Sequence, residues 1–217
     1  TAQLRGLETA DIVALGTNQM AGLGSAQLAS LTTAQVAAFE TADLAAIGTA
    51  TLRGLGTAQV AALTTAQVAG LTTAQVAGLA STQIRAMETA DLSALSTAQI
   101  GALTSTQLAA LTSTQAAGLT TASLGALATA QIGGLGTGVL ASLSTSQLTA
   151  LTSAAVTALT TAQMAAFGTA QIAAFTTGQV AAMETADLAA LSSTQAAAFT
   201  TAQLGAMSSS QINALFA

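Results

Sequence analysis

A period of eight residues runs through the whole chain and limits what it can fold into. Thr57–Thr64 reads TAQVAALT, and Thr65–Thr72 and Thr73–Ala80 repeat it almost unchanged. Laid end to end, 27 such octads cover the chain and leave only Ala217 over. A short fixed period marks a repeat architecture, in which no single unit buries its own apolar face and neighbours supply the stability. With positions numbered from Thr57, position 1 is Ser or Thr in all 27 copies. Position 4 is Leu, Ile, Val or Met in 25 copies, the exceptions being Ala116 and Ala196. Position 7 is always Leu, Ile, Met or Phe, and position 6 always Ala, Gly or Ser. Position 3 is Gln in 19 copies.

Apolar residues three apart share a helix face, whereas on a strand they point to opposite sides. Ala and Gln also favour helix. One continuous helix nevertheless fails. Eight residues advance roughly 800°, some 80° beyond two turns, so the apolar stripe winds around the rod. Coiled coils need a period near 3.5 or 3.67, which eight does not supply. The helix must therefore break once per octad.

The break has a marker in the Ser or Thr at position 1, the residue type of a helix N-cap. Gly16, Gly24, Gly48 and Gly56 stand just before it, at position 8, where a left-handed or tight corner is expected. Each octad then reads as a helix of about six residues, about 9 Å long. Such a helix does not survive alone and must stack. The expected fold is an all-α solenoid with one short helix per octad. Two octads per coil give a flat double layer. Three give a triangular prism of about nine coils, with positions 4 and 7 directed at one axis. Three is the favoured reading, because three short helices fill one axis with their aliphatics and leave no empty bore, while small residues at position 6 let successive coils approach closely. The single array spans 1–217 and reads as a piece of a longer one, starting in mid-pattern at Thr1. Phe216, where a corner residue belongs, is expected to close an end of the coil.

Composition excludes several function classes. There are three basic residues against eight acidic ones, for a net charge of −5. No basic face for nucleic acid can be built from that. Without Cys or His there is neither a disulfide framework nor a thiolate or imidazole metal site. Ser, Thr or Gln interrupts every octad, so no apolar run reaches the ~18 residues of a membrane span. No catalytic residues, cofactor or small-molecule substrate are indicated, because nucleophile–base pairs are missing. Met and Phe at positions 4 and 7 read as core fillers, and Ala116 and Ala196 as local voids.

One polar constellation recurs. Glu-Thr-Ala-Asp stands at Glu8–Asp11, Glu40–Asp43, Glu88–Asp91 and Glu184–Asp187 and holds every acid in the chain. Both carboxylates flank a helix N-terminus, where negative charge is favoured, and no metal is required. The sharper alternative is a calcium site at each of these corners. Glu8, Asp11, Glu40, Asp43, Glu88, Asp91, Glu184 and Asp187 are its candidate ligands, although two carboxylates are few for calcium. The Gln column is expected to bond corner carbonyls or to stack as a ladder along one edge.

These octads, with Ser/Thr at position 1, Gln at 3, an aliphatic residue at 4 and Leu at 7, resemble the octapeptide-repeat regions of very large bacterial repeat proteins. The resemblance covers the whole chain. It implies the triangular-prism solenoid of short helices nicknamed the Toblerone fold. It also implies an elongated spacer, stalk or scaffold segment rather than an activity, in an extracellular or cell-surface setting, with end-to-end stacking on further repeats. Two other classes compete. Rows of Thr at fixed spacing suit an ice-binding or ice-nucleating surface, though the Tyr and Gly-rich signature of ice-nucleation repeats is missing. The acidic corners suit a calcium-dependent adhesin module.

Overall fold

The computed structural model describes residues 2–217. Thr1, first of the Ser/Thr series, lies outside the described residues. The described residues form 27 short helices, one per octad, from Ala2–Arg5 to Ser209–Leu215. Among the described residues there is no strand. Each helix typically holds positions 1 to 5 or 6, as in Thr57–Ala61, Thr65–Ala69 and Thr73–Gly78.

The corners differ from expectation. No described residue, glycine included, has a positive φ. Instead, two successive residues are extended. Leu79 has φ −63° and ψ 148°, and Ala80 has φ −70° and ψ 152°. Met87 and Glu88 repeat this at −66°, 144° and −76°, 161°. These are polyproline-II values, open to any residue. Position 8 holds this conformation whether it is Gly56 (−71°, 164°) or Thr64 (−73°, 153°). A glycine is therefore not needed to turn the chain, and Thr, Ser, Ala and Glu occupy the same position.

Two compact units divide the chain, Thr1–Ala110 and Leu111–Ala217. The same packing rule governs each: a helix rests on the helix three octads along. In the first unit Thr57–Ala61 meets Ser81–Ala86, and Thr73–Gly78 meets Thr97–Gly101. In the second, Ser113–Ala116 meets Thr137–Ser142, and Thr185–Ala189 meets Ser209–Leu215. Three octads thus make one coil.

Positions 4 and 7 fill the interior of both units, position 4 more deeply: Val68 is 0% and Leu71 4% exposed. Met20, Met87, Met164 and Met183 are buried there as core. Phe167 and Phe175 meet edge to face with ring centroids 5.3 Å apart, the arrangement their quadrupoles favour. Position 5 faces outward, and Arg5, Arg53 and Arg85 are exposed. Beside Ala196, in place of a larger aliphatic side chain, an open cleft of about 410 Å³ runs between Leu191, Leu215 and Phe216. Phe216 borders that cleft and is 60% exposed rather than covering the core.

Small residues at position 6 have a direct cause. A Cβ on Gly70 would stand 3.1 Å from the Thr41 Cβ, at position 1 of the coil below. Added to Gly54, it would run into the Ser25 backbone, and added to Gly78 into the Thr49 methyl. Position 6 therefore rides over position 1 of the octad three before it.

Leu63→Ala should cost about 2–5 kcal/mol, because the Leu63 side chain is buried and its removal leaves a cavity. Gly54→Ala should cost about 1–3 kcal/mol through overpacking. Gly101→Ala, where nothing lies within 4 Å of the added carbon, should be neutral or stabilising by up to about 1 kcal/mol. Amide hydrogen exchange is the suitable measurement, since it resolves local opening in an array that need not unfold all at once.

Candidate functional site

The corner is the recurring polar assembly, and it is one residue out of register with the expectation. Thr65 at position 1 is the first helical residue; Thr64 at position 8 is the N-cap. The Thr64 hydroxyl accepts the Gln67 N–H at 3.2 Å, and the Gln67 Oε1 accepts the Thr64 N–H at 2.7 Å. This reciprocal Thr-x-x-Gln pair is a capping box, which satisfies two backbone donors at once. The signal was present as Thr64-Thr65-Ala66-Gln67. It is masked because positions 8 and 1 are so often both hydroxylated. Position 1 has its own use where it is Ser. The Ser81, Ser113 and Ser153 hydroxyls donate to the Thr106, Gly138 and Gly178 carbonyls of the octad three along, at 3.2–3.4 Å. Where position 8 is Gly, half of the box remains: the Gly56 N–H still donates to Gln59 Oε1 at 2.7 Å.

The other end of each Gln amide ties coil to coil. Gln67 Nε2 donates to the carbonyls of Val36, Ala37 and Phe39 at 3.0, 3.2 and 2.8 Å. In the second unit, Gln179 Nε2 reaches Leu148 and Leu151 at 3.0 and 2.7 Å. The acceptors lie at positions 4, 5 and 7 of the octad four before. With three octads per coil, the start of one helix stands over the end of that earlier helix, where the position-4 carbonyl, which already accepts the position-7 N–H of its own octad (Phe39 to Val36, 3.2 Å), takes the amide as a second donor. The Gln column therefore bonds corner carbonyls, as expected, from a buried position.

The Glu-Thr-Ala-Asp corners are variants of this box. Glu8, Glu40, Glu88 and Glu184 are exposed N-cap residues whose side chains make no cap bond. Asp11 and Asp91 take over the oxygen half, accepting the Glu8 and Glu88 N–H at 2.9 and 3.0 Å. Both carboxylates do flank helix N-termini. An Asp has no amide donor, however, so the bond to the coil below is lost. Asp43, Asp91 and Asp187 are buried, while Asp11 is exposed. Asp43 and Asp187 do not return to their N-cap N–H at all. Burial pushes the Asp187 carboxyl above the ordinary aspartate range; a hydrogen bond from the Thr161 side chain opposes this and the Glu184 charge adds to it. Among the described residues, no three His, Cys, Asp or Glu side chains group as a metal centre requires.

Chemically, this corner joins backbone to backbone. A chain of short helices, most of them boxed at the start and bonded through one amide to an earlier coil, is a helical solenoid repeat protein. The chain belongs to the ALTTAQ repeat family. That repeat matches residues 4–41, 36–73, 62–89, 84–121, 124–161, 140–177, 156–183 and 180–216. Its six letters read directly as Ala62–Gln67: the small contact residue, the core leucine, the cap, the first helical turn and the boxed glutamine. No curated protein matches the chain.

Thr64→Ala should cost about 1 kcal/mol as a lost N-cap, whereas Thr65→Ala should stay within about 0.5 kcal/mol. Gln67→Leu removes the amide donor from the Val36, Ala37 and Phe39 carbonyls and should cost about 1–3 kcal/mol. Conversely, Ala155→Gln should stabilise by about 0.5–1.5 kcal/mol, since the Thr152 hydroxyl already accepts the residue 155 N–H. Denaturant melts of the four variants against the parent chain measure each effect.

Proposed function

We propose that the chain is a non-enzymatic spacer: one continuous array over 1–217, of triangular-prism section, that holds other parts of a large bacterial protein apart. The observation that carries this reading is the Gln amide tie. The same bond is remade coil after coil in each unit, so length can grow without a new fold. Scarcity of charge and a sequence without His, Lys or Cys to pair with its many hydroxyls agree with a part that carries load rather than chemistry. Among the described residues, no helix is long and apolar enough to cross a membrane. An extracellular or surface setting suits a stalk.

Small-angle scattering tests the reading. Nine coils at helix-packing distances of 8–10 Å predict a rod of roughly 70–90 Å. Deleting Thr57–Leu79 together with Ala80, one whole coil, should shorten it by one layer and leave helicity per residue unchanged. A particle whose dimensions stay fixed, or whose helicity collapses, would overturn the spacer reading.

A further inference from the structure

The second unit contains one buried carboxylate and nothing in its sequence to neutralise it. Glu184 and Asp187 are the sole ionisable side chains between Leu111 and Ala217; no Lys, Arg or His is present there. Asp187 is 3% exposed, and its Oδ2 has no hydrogen-bond partner. It stands at position 3, where the array places a donor: by the register of Gln179, the residue at 187 stands over the carbonyls of Val156 and Leu159. The environment there is thus one of acceptors. Thr161 supplies a single hydrogen bond from below. The helices packed on Thr185–Ala189 are Thr161–Met164 and Ser209–Leu215, and neither brings a charged group. Glu184, exposed at the N-cap, adds a like charge. A buried anion in such a place carries a large desolvation penalty with no ion pair against it.

We propose that Asp187 is a proton-binding site, a pH-responsive latch between the Thr185–Ala189 helix and the coil beneath it. With a proton bound, the carboxyl is neutral and the helix is seated. When the proton leaves, an uncompensated charge lies inside the array and this contact loosens. The folded carboxyl holds its proton to higher pH than the unfolded one. The stability it contributes is therefore complete below the unfolded value, about 3.9, and is lost as pH rises through the folded value. Asp11 is exposed, and Asp91 accepts the Glu88 N–H; neither carries this combination of burial and an unpartnered oxygen.

Carboxyl NMR of the full chain, titrated from about pH 3 to 8, reads the site directly, because so few carboxylates are present. The Asp187 signal should titrate above the ordinary aspartate range. Amide exchange protection across Thr185–Ala189 should fall through the same midpoint. Thr161→Ala should move that midpoint further up and Glu184→Gln should move it down. Asp187→Asn, neutral at every pH, should keep protection high throughout. The proposal is overturned by a midpoint at or below the ordinary value, or by protection that ignores pH. It is equally overturned if Asp187→Asn leaves the pH dependence intact, or if millimolar calcium drives the midpoint down, which would make the occupant a metal cation.

Discussion

One side-chain amide does the joining in this protein. A helix of four to seven residues is far below the length that holds itself together in water, and here it leaves unpaired donors at one end and acceptors at the other. The glutamine at position 3 serves both. Its oxygen closes the box at the start of its own helix, and its nitrogen serves the end of a helix a full coil earlier. The Gln67 amide makes four such bonds, one within its corner and three to Val36, Ala37 and Phe39. Aliphatic burial at positions 4 and 7 supplies the bulk of the driving force, but it is indifferent to register. The amide sets which coil faces which, and by how much.

Everything else in the octad accommodates that tie. Position 6 stays small so that the coil above can come within reach of the carbonyls, as the Gly70–Thr41 approach makes plain. Positions 7 and 8 are extended so that the core leucine points inward while its carbonyl remains available to the later glutamine. Position 5 is released from all these demands and accepts Arg5, Arg53, Thr149 and Asn213 alike. Substitution at position 3 is tolerated when neighbours carry the load, and its consequence depends on chemistry. Ser123 retains a hydroxyl contact to Thr120 at 2.8 Å, Ala155 retains only the cap, and Asp187 brings a charge inside.

Most of this is legible in the sequence. A period of eight that fits neither a strand nor a coiled coil leaves broken helices, and small residues at position 6 with aliphatics at 4 and 7 leave close-packed coils. Three octads per coil followed from filling the axis, and the contacts between helices three apart have that spacing. The corner departs from the sequence expectation for a definite reason. Variation within one chain reports constraint but not its source: the invariant position 1 is the first helical residue, lying under position 6 of the next coil, and does not cap. Position 8 varies because half of the box, the amide oxygen on a backbone N–H, works with any residue there. Likewise, glycine at a corner suggests a left-handed turn only while the extended alternative is overlooked. The buried state of Asp187 could not be read from Glu-Thr-Ala-Asp, since Asp11 carries the same four letters and is exposed.

The ties also have a direction. Every glutamine amide described here reaches back, toward residues nearer the N-terminus, and none reaches forward. A polypeptide leaves the ribosome N-terminus first, so each emerging octad meets acceptors that are already in place. Assembly can keep pace with synthesis, one helix at a time, with little apolar surface waiting for a distant partner. For a sequence so rich in alanine and leucine, and so poor in charge, growth in step with translation is a safeguard against aggregation that is written into the polarity of a single hydrogen bond.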